Sequence, residues 1–473
     1  MTIRILQLVS DQIYSIMATS FVAILLIVYV AEAFASPFQG SEKIWSTDEV
    51  SGDVFRAVKD LNDNPAWEYI AKPRSKLACK IRMRAGPDPL LLGMNKDDVW
   101  TKIKEVKNYQ SSFCRGKSVV CITDGLYRRK WISNFRIDKK VPPLSSANIF
   151  SVVQFNTLAE GLSSGPTAET AFPMEQSAIS GTGFGAVNEN NFGGFDKVEN
   201  PEICLDFQLR RWRLIEAILG GNGSDDDCSM FPDVIALEEV DHYHSFFHPV
   251  MSKFGYEGIF VPKRNSPCIR LGYYSDGCAL FWKSDVFELM QEQKRQYDKG
   301  GQVYILATLR HRQSDRCVVF GSTHLKAKKG LANEKVRTSQ AKELFREAKK
   351  VAKSLINHGE SGDVPIIVMG DFNADIDGNG ATCVTSIANA GFFSAYPFAR
   401  MVNAFTTFKT RGSKTSKHTI DYIFHNGVGV NCTHTLDLPS EDNITEPAGL
   451  PGFCYPSDHI MIGSRFLLAA DNS

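Results

Sequence analysis

The chain has 473 residues, 22% of them charged and 43% apolar, which is too long for one small domain and too apolar for a disordered polymer. Lys and Arg together number 53, as do Asp and Glu, so no global basic field draws the protein to nucleic acid or anionic lipid. The eleven Cys show neither CxxC nor Cys/His zinc spacing, and an odd number excludes complete internal pairing; most read as buried thiols.

At the N-terminus no residue between Asp11 and Glu32 is charged, and Phe21–Val30 is continuously apolar. That stretch reaches the roughly 20 residues needed to span hydrocarbon, so residues 1–36 read as a single-pass membrane anchor. Ala33-Phe34-Ala35-Ser36 also fits a signal-peptidase site, which makes a secreted or plastid protein after cleavage the alternative. Residues 37–146 carry no chemical motif. Within them Val54, Phe55, Ala57, Val58 and Leu61 have helix-like spacing, and Val119–Ile122 reads as a strand. Pro142-Pro143-Leu144-Ser145-Ser146 punctuates the chain and places a domain boundary at 146.

From residue 147 to the end the pattern is regular. Ile149–Phe155 is a β-rich run ending at Asn156, and a Gly/Ser/Asn-rich stretch without periodicity follows over residues 161–200. A loop of that length acts as a lid or lies idle on the surface. Leu209, Trp212, Ile215 and Leu219 have helical spacing and stop at Gly220-Gly221. Strand-like runs then recur at Val234–Leu237, Cys278–Trp282, Val303–Thr308 and Cys317–Phe320. A long helix over Glu334–Asn357 precedes the runs Pro365–Met369, Ile420–Phe424 and Ile460–Ile462. Many of these runs are apolar on both faces, which suggests two packed sheets covered by helices.

Polar residues follow these runs. Glu239 ends Leu237-Glu238-Glu239, His324 ends Thr323-His324, and Gly370-Asp371-Phe372-Asn373 closes another run. Ser457-Asp458-His459 lies near the C-terminus, and an adjacent carboxylate such as Asp458 can orient the imidazole. Singly, each has an ordinary reading as a helix cap, a turn residue or a satisfied histidine. Their recurrence at strand ends argues for one convergent site. Hard cations want oxygen ligands, and phosphoester chemistry wants such a cation beside a His or Asp, so the set points to metal-dependent phosphoester hydrolysis.

The strings Asn156, Leu237-Glu238-Glu239-Val240, Thr323-His324-Leu325-Lys326, Gly370-Asp371-Phe372-Asn373, Ile420-Asp421-Tyr422 and Ser457-Asp458-His459 resemble, in order, the motifs of the endonuclease/exonuclease/phosphatase superfamily. Pro232–Tyr243, Ser275–Phe281, Thr406–Arg411 and Lys417–Tyr422 resemble the nocturnin-like group of its deadenylase-like branch. The resemblance implies a four-layer α/β/β/α sandwich over residues 147–473. It also implies that Glu239, helped by Asn156, holds Mg²⁺ (or Mn²⁺), and that Asp371 orients or deprotonates the attacking water. Asn373 would donate to the phosphoryl oxygens, His459 held by Asp458 would contact the same group, and His324 would stabilise the developing charge. Asp421 would be a support for these groups.

For the substrate, the resemblance implies removal of the 2′-phosphate of NADP(H), with Lys263, Lys326, Lys328 and Arg411 as pocket cations. Two departures stand out: Lys328 replaces the group's Arg, a point charge for a planar fork, and Phe408 replaces a Trp. The alternative substrate is the 3′ end of poly(A) RNA, removed by a 3′–5′ exoribonuclease. A third reading, a catalytically silent RNA-binding or scaffold module, is opposed by the intact ligand positions.

Overall fold

The computed structural model describes residues 45–47, 54–59, 65–71, 87–113, 130–134, 148–163, 192–220, 230–270, 273–358, 360, 363–375, 382–401, 404–444, 446 and 448–469. The expected anchor at 1–36, the strand at 119–122 and the boundary at 142–146 lie outside them. Among the described residues no helix is long and apolar enough to cross a membrane. Residues 54–61, expected as helix, instead contain the strand β2 (Val54–Lys59), which pairs antiparallel with β1 (Trp45–Thr47) and β3 (Pro65–Ala71). Short apolar runs satisfy either period, and here ladder pairing with two neighbours decides.

Two large sheets carry the rest. The first runs β13 (Phe393–Ser394), β16 (Asp421–His425), β12 (Ile366–Asp371), β11 (Arg316–His324), β10 (Val303–His311) and β9 (Phe287–Gln296) in spatial order. The second runs β4 (Trp131–Ser133), β17 (Val430–Leu436), β18 (Ile462–Leu468), β5 (Ile149–Asn156), β6 (Val234–Val240), β8 (Gly277–Lys283) and β7 (Tyr256–Pro262). A separate hairpin joins β14 (Thr407–Arg411) to β15 (Lys414–His418).

Side-chain alternation along the strands builds the layers. In β5, Phe150 and Val152 enter the core between the sheets, whereas Val153 and Phe155 enter the core under the helices. In β6, Val234 and Ala236 face between the sheets, and Ile235 and Leu237 face the helices. Those helices are α1 (Lys96–Phe113) and α2 (Phe207–Leu219). The other outer layer is α3 (Leu331–Asn357) with α4 (Thr382–Asn389), packed through Leu344, Phe345 and Ile387. The order is therefore helix, sheet, sheet, helix.

Local sequence explains the ends of α2. Asp206 caps it by accepting from the Gln208 amide at 2.9 Å, and Gly220 closes it in the left-handed conformation (φ 73°). Helix α1 was not legible, although Val99, Ile103 and Val106 are buried at helical spacing. It packs on α2, and β4 extends the second sheet through β17. Helix α1 and β4, both on the N-terminal side of 146, thus belong to the packed fold. The contact is also ionic: buried Arg211 on α2 pairs with Asp88 at 2.8 Å. Asp88→Ala should lower stability by about 3 kcal/mol, because it leaves a buried guanidinium without its carboxylate. Chemical denaturation measures this, and an unchanged midpoint would refute the integration of residue 88 into the fold.

Each sheet contains one parallel pair joined through a helix: β5–β6 through α2, and β11–β12 through α3. Parallel strands exit at the same edge, and the antiparallel neighbours β16 and β18 begin there. The registers juxtapose Asn156 with Glu238, His324 with Asp371, and Asp371 with Asp421. Ligand sites in such sheets favour this carboxyl edge.

Candidate active site

The acidic side of the site starts at a bulge. The β6–β8 register slips between Glu238 and Val240, and Glu239 takes φ +55°. A non-glycine residue in that conformation is strained and held by its surroundings. The slip turns Glu239 away from the alternation that points Glu238 between the sheets. The Glu239 carboxylate accepts only a 3.3 Å bond from the Ala159 amide, and among the described residues no ion pair reaches it. Asn156, fully buried, donates its side-chain amide to Asp371 at 3.1 Å, and its side-chain oxygen accepts from the Leu158 amide at 3.0 Å.

Asp371 sits at the centre. Its Oδ1 accepts from the Asn373 amide at 2.9 Å, and its Oδ2 lies 3.6 Å from His324 Nε2 and 3.8 Å from His459 Nε2. Burial, with Asp421 beside it, pushes its carboxyl up to about 7. Asn373 itself takes φ +52° and donates its side-chain amide to the Leu325 carbonyl at 3.1 Å. The two histidines carry opposite charge states. Burial would lower His459, but Asp421, Asp458 and Asp371 outweigh it and hold the imidazolium up to about 9. Burial and the neighbouring Lys263 hold His324 neutral, well below the usual histidine range. Lys263 Nζ lies 3.4 Å from His324 Nδ1. An ammonium can only donate, so the imidazole proton resides on Nε2, facing Asp371.

One expected partnership is corrected. His459 is held by Asp421, whose Oδ2 is 2.9 Å from Nδ1, and not by Asp458. Adjacent residues at the approach to a strand project apart, so Asp458 turns to the β14 hairpin. There Lys409 donates to it at 2.5 Å and Arg411 Nη2 lies at 3.8 Å. Burial opposes ionisation of Asp458, yet Lys409, His459 and Arg411 hold it well below the usual carboxylate range.

The cations divide. Lys263 pairs with buried Asp276 and approaches His324, and Arg411 reaches Asp458, so both join the site. Lys326 is half-buried and Lys328 exposed on the loop beyond β11, where Arg337 donates to both backbone carbonyls at 2.9 and 2.8 Å. Phe408 faces away from Lys409 and Arg411 along β14, buried in the helix-side core, and is no stacking platform for a base.

The profile of the Endonuclease/Exonuclease/phosphatase family matches residues 208–459. The chain belongs to that family. Mouse nocturnin is 31% identical over 340 residues, covering 70% of this chain and 68% of its own length. Human nocturnin is 33% identical over 279 residues, covering 57% of this chain and 60% of its own length. The human Nocturnin catalytic domain with bound sulfate anion superposes with a TM-score of 0.51 at 25% identity, covering 73% of this chain and 99% of that one. The Ccr4 exoribonuclease subunit of the CCR4-Not complex from Debaryomyces hansenii is 26% identical over 322 residues, covering 56% of this chain and 36% of its own.

As a member of the endonuclease/exonuclease/phosphatase family the protein is a phosphoester hydrolase. Its donor set fits a hard divalent cation: among the described residues Glu239 forms no ion pair, and Asn156 retains a lone pair on its oxygen. Ligand atoms of Asp371, Asp421 and His459 also lie within 4.8 Å of one another. Two members of the site escaped the sequence reading. Lys409 lies two residues before Arg411 on one strand, so period-two spacing would have found it. Gln154 donates to Glu238 at 2.7 Å and to Asp421 at 2.9 Å, a buried link that no local pattern announces.

Proposed function

We propose that this phosphoester hydrolase removes the 2′-phosphate of NADP(H), using Mg²⁺ or Mn²⁺. The observation that carries the reading is the concentration of cations around one small volume: the His459 imidazolium lies beside Asp371, Lys263 beside its neighbour His324, and Lys409 and Arg411 on Asp458, the residue before His459. A terminal phosphomonoester is a compact dianion and suits such a cluster, on a chain whose overall charge is zero. The nocturnin-like strings of the sequence imply the same substrate class.

Glu239 and Asn156 would hold the cation, whose chemistry there is polarisation of a phosphoryl oxygen. Asp371, pushed up to about 7, accepts the proton of the attacking water. His459 presents a charged N–H and His324 a neutral one, and both face the position where negative charge grows. Asn156 and Asn373 fix the Asp371 carboxylate by one hydrogen bond to each oxygen.

Offering NADPH and a 3′-adenylated RNA side by side to the full chain with Mg²⁺ tests the assignment. Lys263→Ala and Arg411→Ala should each lower kcat/KM on NADPH by about 1–3 kcal/mol, the value of one charge-assisted hydrogen bond. Lys328→Arg should be neutral or beneficial. On RNA the losses would instead be shared among many phosphates and shrink as salt rises. Salt-steep turnover of RNA with no release of phosphate from NADPH would replace this reading with a 3′–5′ poly(A) exoribonuclease, the activity named for the Ccr4 relative.

A further inference from the structure

The far end of the 161–200 stretch is built into the active-site wall. Residues Phe192–Gly194 form a short turn in which Gly193 has φ +64°. A Cβ there would stand 1.9 Å from the Leu162 carbonyl oxygen, so the close approach requires glycine. The turn delivers Phe195, fully buried, into a small cluster with Leu158, Leu205 and Phe453. Leu158 follows Asn156 by two residues, so this cluster shares its support with the acidic side of the site.

Two contacts tie the cluster to the β14–β15 hairpin. The Gly412 amide donates to the Gly194 carbonyl at 2.8 Å, and the Arg411 guanidinium carbon lies 4.4 Å from the centre of the Phe195 ring. Asp458 Oδ2 borders the same guanidinium, 3.8 Å from Nη2. Arg411 Nε is buried and has no acceptor among the described residues. A flexible side chain is thus confined between an aromatic face and a carboxylate, with one donor uncommitted.

We propose that Phe195 is a specificity-determining positioning residue: its ring fixes the guanidinium plane of Arg411, whose side chain remains 30% exposed, so that the open side of the fork faces a phosphomonoester. The assignment rests on the phosphoester-hydrolase reading of this same site. Arginine gains over lysine only when its fork is held in plane, because the bidentate geometry carries the selectivity. An aromatic face supplies that restraint through cation–π attraction without consuming a donor. The 161–200 stretch therefore ends as a wall of the phosphate site rather than on an idle surface.

Phe195→Leu keeps apolar volume and removes the ring; Phe195→Tyr keeps the ring. In the full chain with Mg²⁺, Phe195→Leu should raise KM for NADPH by roughly 3- to 30-fold, the range of one cation–π contact, with kcat within about twofold. Phe195→Tyr should restore KM, and Phe195→Leu should add nothing on an Arg411→Ala background. The Arg411 Nε–H NMR signal reads the contact without turnover: it should be displaced by the ring current in the parent protein and relax in Phe195→Leu. Calorimetry with inorganic phosphate should show the same loss of affinity. Should Phe195→Leu fail to fold, Arg411→Lys reads the contact from the other side, since its ammonium cannot stack flat and should cost the same phosphate affinity. An unchanged KM and Nε–H position in folded Phe195→Leu, full phosphate affinity in Arg411→Lys, or additive losses in the double mutant would overturn the proposal. Absence of turnover in the parent protein refutes the substrate instead, while the NMR and phosphate arms still decide the role of Phe195.

Discussion

Glu239→Ala should abolish phosphate release, with kcat/KM falling roughly 10²- to 10³-fold or more, while the protein keeps its fold. The geometry sets this apart from loss of an ordinary surface carboxylate. Glu239 sits on a bulge at φ +55°, and among the described residues no ion pair is formed by its carboxylate, which accepts from the Ala159 amide at 3.3 Å. A strained backbone that presents a carboxylate at a site edge is maintained by the tertiary structure around it. Alanine leaves that strain in place and removes only the ligand, so the melting temperature should change little. Excess EDTA should reproduce the mutant in the parent protein, and added Mn²⁺ or Mg²⁺ should restore the parent but not Glu239→Ala. Turnover by the mutant at parental rate, or full activity in EDTA, would remove Glu239 from the metal site.

The second large effect concerns Asp421, which the sequence reading had assigned only a supporting part. Asp421→Asn should reduce kcat by about 10²- to 10⁴-fold, the range seen when a histidine loses the carboxylate that fixes its charge and tautomer. In the parent protein His459 is held up to about 9, above its ordinary 6.5, because Asp421, Asp458 and Asp371 outweigh burial. Removing Asp421 shifts that balance toward burial, so the midpoint should fall. Following the His459 Hε1 signal against pH in cation-free protein measures both values. The sign carries over to stability: a raised histidine stabilises the fold fully below its unfolded value near 6.5 and loses that contribution as pH rises through about 9. Asp421→Asn should therefore flatten the decline of stability between pH 6.5 and 9. An unshifted midpoint in the mutant would show that Asp458 and Asp371, and not Asp421, govern His459.

These two residues also mark where local pattern ends. Glu239, Asp371 and His324 were legible because each closes an apolar run, and a polar residue at the end of a buried strand is a local signal. The two-sheet architecture followed similarly from runs such as Val234–Leu237 and Ile366–Met369, apolar on both faces because each lies between two packed layers. Helix α2 was legible from its spacing and its Gly220 stop.

Pairing across long sequence distances was decided elsewhere. Asp458 adjoins His459 in sequence, yet the imidazole turns to Asp421, 38 positions away, because β16 and β18 bring those side chains to one edge. Lys409 and Arg411 reach Asp458 only through the placement of the hairpin, and Phe195 meets Arg411 only because a glycine turn lands beside it. The residue types, the strand ends and the hydrolytic chemistry were written locally, in period and composition. Which carboxylate holds which cation was settled by sheet register and by the burial that makes an unpaired charge too costly to keep.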